Sequence, residues 1–484
     1  MLLISAILFF VPASRAQVKE PPPSIHQLES ELHAKDAMKD SVGTLSALPP
    51  SSPFRPKTHG ALSRQVFGYH PYWASATAHL SYDYSALSTI GYFSYEVDTA
   101  TGRALTTRNW MTTPLISYAH ERGVKVVLVV TNFGSAQNTA ILSDAAKQNT
   151  MIASLCTMLV ARGGDGVNID FESVPLSQRA NLVSFMRALA SNVRAVIPGA
   201  EISMAGPAVD WSKSWDFAAL SSICDYLFLM GYDYYYAGSS TAGPNAPLEG
   251  ENYTITKSVT TYLSSGVAPE KLIVGLPWFG FDWPVSSSAR KSPVMGNGKS
   301  GTYAVLEPKA RAFGKVFDAA TKSAYFTYVL GTQFHQAWYD DSLSLAYKYA
   351  LVNAKNLGGV GMWALSYEGP TPELWQGIRA AFAPVVSAVA VDGQTAPSSY
   401  RLSQNYPNPF NPSTAIMYVA PHAGRVALKI YDMLGRCVAT LADEVVSAGA
   451  HTVTWHAESH PSGVYVCRLE AGSERRTIRL VLAR

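Results

Sequence analysis

The sequence predicts an α/β chain: a (β/α)8 TIM barrel with a small α+β insertion after its seventh strand, followed by a C-terminal all-β sandwich. Three observations predict it. From Arg64 onward, short β-branched runs alternate with helix-length segments; about 60 residues from Trp283 to Asp341 interrupt that alternation; and beyond Ser399 the texture changes to short strands divided by Gly, Pro and Asp turns. A doubly wound open sheet is the structural alternative that the alternation alone allows.

The eight barrel strands are expected at Gln65–Tyr69, Thr89–Tyr95, Val124–Val130, Gly166–Glu172, Glu201–Ala205, Tyr226–Met230, Leu272–Leu276 and Gly359–Trp363. Helices fill most of the gaps; in 178–197, Leu182, Met186, Leu189 and Val193 form one apolar stripe. The stretch 284–341, rich in Ser, Gly and Tyr, is too long for an unstructured crossover and is expected to form the insertion. Residues 64–382 therefore make up the barrel domain, 383–399 a linker and 400–484 the sandwich, with strands at Ala415–Val419, Val426–Tyr431, Thr452–Trp455, Val464–Leu469 and Thr477–Leu482.

The N-terminus reads differently. Leu2 to Val11 is an apolar run followed by Pro12 and Ser14-Arg15-Ala16, which predicts a signal peptide over 1–16, although no Lys or Arg precedes the run. It is too short to span a bilayer, and a buried first helix is the alternative. Residues 17–63 carry no sustained period and are punctuated by Pro21-Pro22-Pro23, Pro49-Pro50 and Ser51-Ser52-Pro53, which predicts a linker or pro-segment.

Composition narrows the function classes. The 484 residues carry 38 basic and 35 acidic side chains, net +3, scattered along the chain, so nothing marks a nucleic-acid or anionic-membrane surface. Four cysteines exclude a disulfide miniprotein and a Cys-rich metal module. At 48% hydrophobic and only 15% charged the chain does not suit disorder, and its 11% aromatic content fits a protein that handles neutral polymers.

The stretch that carries chemistry is Asp165-Gly-Val-Asn-Ile-Asp-Phe-Glu172. On a strand, Asn168, Asp170 and Glu172 share one face and Val167, Ile169 and Phe171 the other. In a barrel the polar set points inward, which is costly unless it is used, solvated strand-end acids being the bland alternative. Carboxylates at i and i+2 stand roughly 7 Å apart by strand geometry. Once desolvated they couple, keeping one protonated at neutral pH as a general acid requires. Glu172, last on the strand, is nearest the C-terminal mouth where barrel active sites lie.

That octapeptide resembles the signature of glycoside hydrolase family 18, the chitinases and related endo-β-N-acetylglucosaminidases, whose pattern is Asp/Asn-Gly-apolar-Asp/Asn-apolar-Asp/Asn-x-Glu. Further segments match in order: Phe67-Gly68-Tyr69 on the first strand, Met230-Gly231-Tyr232-Asp233 on the sixth, Val274-Gly-Leu-Pro-Trp-Phe-Gly280 on the seventh, Trp338-Tyr-Asp-Asp341 after the insertion, and Gly359-Val-Gly-Met-Trp363 on the eighth. The resemblance implies a substrate-assisted mechanism in which the 2-acetamido oxygen of the sugar attacks the anomeric carbon. Carried over, Glu172 is acid and base, Asp170 orients the acetamido group, Tyr232 hydrogen-bonds its carbonyl, Asp233 helps hold the sugar and Trp363 forms its floor. Tyr69, Asn168, Met230 and Trp278 complete the expected catalytic and substrate-binding set, with Trp73, Tyr235 and Trp283 as further aromatic candidates. No cofactor and no metal is implied.

Two departures sharpen the resemblance. Asn168 stands where the common chitinase pattern has Asp, and Thr131-Asn132 where many have Gly-Gly. With Ala242-Gly-Pro-Asn-Ala-Pro247 and Trp338-Tyr-Asp-Asp341, they resemble the subgroup of spore-cortex peptidoglycan glucosaminidases, without its LysM repeats. The tail is similar to a type IX secretion C-terminal sorting domain in Leu402-Ser-Gln-Asn-Tyr-Pro-Asn-Pro-Phe-Asn-Pro-Ser-Thr414, Ile430-Tyr-Asp-Met-Leu-Gly-Arg436 and Pro461-Ser-Gly-Val-Tyr465. That implies export through the periplasm to the medium or the surface of a Gram-negative cell, with the secretion machinery as a partner. Cys437 and Cys467 are open to pairing or to remaining free thiols.

Other motifs are decoys. Gly298-Lys299-Ser300 lacks the upstream glycine of a phosphate loop, and His456 and His460 flank a strand end, where i, i+4 spacing does not face one metal. The expectation is a monomeric, secreted glycosidase acting on N-acetylglucosamine polymers, either chitin and its oligosaccharides or peptidoglycan. A glycan-binding lectin on the same barrel is the alternative, though such lectins usually lose the catalytic Glu.

Overall fold

The computed structural model describes residues 22–36, 54, 56, 62–383, 399–405 and 408–483. The signal-peptide expectation at 1–16 and most of the 383–399 linker lie outside the described residues. Among those described, no helix is long and apolar enough to cross a membrane.

Eight parallel strands close into a barrel, with Gln65–Pro71 paired on one side to Thr89–Val97 and on the other to Gly359–Trp363. Strands four, six and eight, at Gly166–Glu172, Tyr226–Met230 and Gly359–Trp363, have the bounds the sequence predicts; the others run one to three residues further toward the mouth. Strand three, Lys125–Phe133, is buried along nearly its whole length, as a parallel strand under helices must be. Helix Arg179–Val196 buries Leu182, Met186, Leu189 and Val193, the predicted stripe, together with Phe185 and Ala190.

Large residues inside the barrel are matched by glycines. A Cβ on Gly91 would meet the Phe67 ring at 2.6 Å, and one on Gly361 would meet the Phe228 ring at 2.3 Å. These two rings fill the floor, and above them Tyr69 Oη donates to Asn168 Oδ1 at 2.9 Å while Asn168 Nδ2 donates to Ser203 Oγ at 2.8 Å. The core thus changes from apolar to polar one layer below the catalytic strand end.

The insertion is a five-stranded antiparallel sheet with helix Tyr303–Phe313 packed on it. Its first strand, Phe279–Val285, begins five residues before the expected boundary at 284, because it continues directly from barrel strand seven, Leu272–Pro277. Where the insertion returns, Lys348 and Asp340 are fully buried with Nζ 2.5 Å from Oδ2, and Lys315 Nζ lies 2.9 Å from Asp341 Oδ2.

The lead expected as a linker or pro-segment contains one helix, α1 (Ile25–Leu32), capped by the Ser24 hydroxyl, which accepts from the Gln27 N–H at 3.1 Å. The tail forms a separate unit of two antiparallel sheets, one of three strands and one of four. Two of its strands are unpredicted: Arg401–Leu402 has only two residues, and Cys437–Val446 is broken by register shifts against Gly424–Tyr431 and carries Asp443 and Glu444, so its alternation is obscured. Cys467 is buried, Cys437 is exposed, and both are free thiols.

Candidate active site

Strand four projects Asn168, Asp170 and Glu172 into the barrel mouth as its alternation requires. Asn168 and Asp170 are fully buried, and Glu172 nearly so. Asp170 Oδ1 and Glu172 Oε1 are buried with no hydrogen-bond partner among the described residues. Burial pushes Asp170 above the usual carboxylate range, and burial together with the charge of Asp170 pushes Glu172 up as well. The pair therefore holds a proton at neutral pH, and we place it on Glu172, because Asp170 accepts from the His26 ring.

The neighbouring strand ends complete the mouth. Tyr232 and Asp233 follow strand six; burial raises Tyr232 well above its ordinary value and Asp233 to about 7. Asp233 has φ of 60°, a left-handed conformation uncommon outside glycine, and its N–H is held by Asn245 Oδ1 at 2.9 Å. Asn245 belongs to the Ala242–Pro247 segment, which thereby fixes the backbone turn that aims Asp233. Trp363, at the end of strand eight, is fully buried, with its ring 5.4 Å from that of Tyr69. Beyond Glu172 and Asp233 a groove of about 560 Å³ opens, lined by Met230, Trp215 and Tyr236 and by the exposed Trp211 and Tyr253. Trp211 and Tyr253 pack ring edge to face at 4.7 Å.

Helix α1 lies in this mouth. His26 Nδ1 is 2.8 Å from Asp170 Oδ2 and His26 Nε2 is 2.8 Å from Tyr232 Oη, while the imidazole stacks on Trp363 with centroids 3.8 Å apart. Burial lowers the His26 pKa to about 4, so the ring is neutral, donating from Nδ1 to Asp170 and accepting at Nε2 from Tyr232. The Ile25 N–H donates to Asp233 Oδ2 at 2.8 Å, and Glu29 Oε2 accepts from Trp363 Nε1 and Tyr367 Oη at 2.8 and 2.7 Å. Ligand atoms of His26, Asp170 and Glu172 lie within 4.8 Å of one another, a set that could offer ligands to a cation. Both imidazole nitrogens are already used in hydrogen bonds, so we read the cluster as a hydrogen-bonded network.

The structure brings together Glu172, Asp170, Tyr232, Asp233, Trp363 and Met230, with Tyr69 and Asn168 beneath them. Trp278 is placed elsewhere: it is 1% exposed and its ring packs edge-on against Trp375, because the chain leaves strand seven directly for the insertion and turns that side chain away from the mouth. Trp283 is buried in the insertion and Tyr235 pairs with Glu251, whereas Trp73 borders α1, its ring stacked on His33. Sequence reasoning missed Asn138, whose Nδ2 donates to the Glu172 carbonyl at 2.5 Å and whose Oδ1 accepts from Asn132 at 3.1 Å. The departure Thr131-Asn132 was the available signal: Asn132 holds the Asn138 side chain that supports the Glu172 backbone.

Residues 65–368 match the model of glycosyl hydrolases family 18. The chain belongs to that family. Residues 404–483 match a secretion system C-terminal sorting domain. Among curated relatives, the chain is 27% identical over 336 residues to di-N-acetylchitobiase of Rattus norvegicus, covering 62% of this chain and 84% of that one. It is 26% identical over 269 residues to YdhD of Bacillus subtilis, designated a sporulation-specific glycosylase, covering 53% of this chain and 60% of that protein's length. The fold is that of a family 18 chitinase from Cycas revoluta crystallised with (GlcNAc)4, at a TM-score of 0.60 and 20% identity over 66% of this chain and 99% of that one. This family 18 chain is a glycoside hydrolase, and its sorting domain implies secretion or export to the cell surface.

Proposed function

We propose that the chain is an exported retaining glycosidase that cuts β-1,4 linkages of N-acetylglucosamine polymers by substrate assistance. The observation that carries the reading is the convergence of a buried, proton-holding Asp170–Glu172 pair with Tyr232, Asp233 and the face of Trp363 at one strand-end mouth. The sugar lies on Trp363 with its acetamido N–H toward Asp170 and its carbonyl oxygen accepting from Tyr232 Oη. That oxygen attacks the anomeric carbon as Glu172 delivers its proton to the glycosidic oxygen and the C–O bond breaks. Asp170 stabilises the positive charge on the acetamido nitrogen. Glu172, now a carboxylate, takes a proton from the water that opens the cyclic ion, and the configuration is retained. One carboxylate is the acid and base and none is the nucleophile, an exception to the two-carboxylate scheme.

Trp211 and Tyr253 offer exposed rings on which further sugars of a polymer stack along the groove. The likeness to both chitobiase and YdhD supports chitin oligosaccharides and peptidoglycan as the two substrate classes, and the sorting domain supports delivery through the periplasm to the outside of a Gram-negative envelope. The test offers N-acetylglucosamine tetramer, its deacetylated counterpart and cellotetraose to the native chain and to a His26→Ala, Glu29→Ala chain. Cleavage of the acetylated tetramer alone, in at least one of the two chains, is expected; equal rates on the glucose tetramer overturn the mechanism.

A further inference from the structure

Helix α1 is not built like a core helix. Of its three apolar residues only Ile25 is buried, Leu28 being half-buried and Leu32 73% exposed, while the polar His26, Glu29 and Ser30 are buried. Burying such groups is costly unless they are matched, and His26 and Glu29 are matched by the site. His26 satisfies Asp170 and Tyr232, and Glu29 satisfies Trp363 and Tyr367. At the helix C-terminal end, Tyr72 Oη donates to the Ser30 carbonyl at 3.1 Å and Arg108 Nη1 to the Ala34 carbonyl at 3.2 Å.

We propose that residues 22–36 are an autoinhibitory plug that holds the enzyme closed, with the His26 imidazole in the place of the substrate's acetamido group. The inference rests on the substrate-assisted reading above. In that reading the acetamido group presents a donor to Asp170, an acceptor to Tyr232 and a flat face to Trp363. A neutral imidazole with its proton on Nδ1 presents the same three features to the same three residues. Glu29 occupies the indole N–H, and the Ile25 N–H occupies the Asp233 carboxylate that would hold a sugar hydroxyl. Sugar and helix cannot share the mouth. Residues 37–63 tether the plug to the first barrel strand, so it competes as an intramolecular ligand, and a segment of weak intrinsic affinity still keeps the site filled.

The test uses the full chain from Gln17, the His26→Ala, Glu29→Ala chain, and a chain with a specific protease site placed between Asp36 and Arg64, cut after folding. Binding of the N-acetylglucosamine tetramer is measured by calorimetry, its hydrolysis by product sizing, and amide exchange of Ile25–Leu32 with and without the tetramer. Opening the site in both altered chains is expected to raise tetramer affinity about tenfold or more, as for a native chain with the mouth free a tenth of the time or less. Saturating tetramer is expected to release protection of Ile25–Leu32 in the native chain. Equal affinity in all three chains, or tetramer bound with the helix still protected, overturns the plug. If the opened chains bind the tetramer tightly and never cut it, the plug stands and the hydrolytic mechanism falls. If no chain binds it, the proposal falls with the reading on which it rests.

Discussion

Two of the places where the barrel domain buries acids surround them differently. Where the insertion returns, Asp340 faces Lys348 and Asp341 faces Lys315, each carboxylate within reach of an ammonium group. At the mouth, Asp170, Glu172 and Asp233 face one another, a neutral imidazole, a tyrosine hydroxyl and a backbone N–H. Asp341 lies below its ordinary value, because Lys315 and the Ser344 donors more than offset burial, while burial still raises Asp340 to about 6 against the pull of Lys348. The mouth acids are all raised, with burial as the leading cause. Paired charge makes a joint in the fold. Unpaired acid makes a proton store, and the next two expectations test that division from each side.

The largest effect is expected at the mouth. Glu172→Gln keeps the shape and the hydrogen bonding but removes the proton that moves, so hydrolysis should fall by about 10²–10⁴-fold, the usual weight of a general acid or base. The comparison is made in the His26→Ala, Glu29→Ala background as well as in the native chain, so that a closed mouth does not mask the loss. Thermal midpoints of parent and variant should agree closely. A variant that keeps its turnover breaks the assignment of the proton store.

The converse is expected at the joint. Lys348→Met leaves Asp340 buried without its cation and should cost about 3–5 kcal/mol of stability, while Asp340→Leu, Lys348→Met together should cost much less, because well-packed apolar side chains replace a buried pair at little loss. Chemical denaturation of the barrel checks both. Strictly additive losses would show that the two side chains do not act as a pair.

The same division explains what the sequence made legible. Barrel strands buried on both faces read as β-branched runs, and Gly166–Glu172, Tyr226–Met230 and Gly359–Trp363 have the bounds the pattern implies. The site acids are legible because three polar residues alternate on one of those strands. Helix α1 was not, although Ser24 and Gln27 stand at capping-box spacing, since its buried face is polar and offers no apolar period. Trp278 was misplaced for a related reason: a motif fixes a position along the strand, but the departure of the chain into the insertion decides which way the ring turns. Asn138 lies on a helix with no pattern of its own, and only its contacts reveal that it holds the Glu172 backbone.

The smallest effect, and the sharpest on the comparison, is the pH dependence of stability. Asp170, Glu172 and Asp233 have ordinary values near 4, and burial raises Asp233 to about 7 and the coupled pair above it. Between those limits these acids bind more protons in the native mouth than in the unfolded chain, so the stability they contribute is greatest near pH 4 and falls as pH rises toward 8. For the single proton held by the Asp170–Glu172 pair the slope is at most about 1.4 kcal/mol per pH unit. Asp341 runs the other way, its stabilisation being lost only as pH falls below about 4; His26 and His70, buried neutral with values lowered to about 4 and about 3, also oppose the fall below about 6.5, and Asp340 and Glu368, raised to about 6 and about 7, add to it, so the chains are compared between pH 6.5 and 8. Helical dichroism during denaturation reports the barrel, since the described tail from Tyr400 on is made of strands. Asp170→Asn, Glu172→Gln should flatten the fall. His26→Ala, Glu29→Ala should also flatten it, because α1 supplies part of the burial that raises these acids; a fall as steep in all three chains would place the proton store outside the mouth.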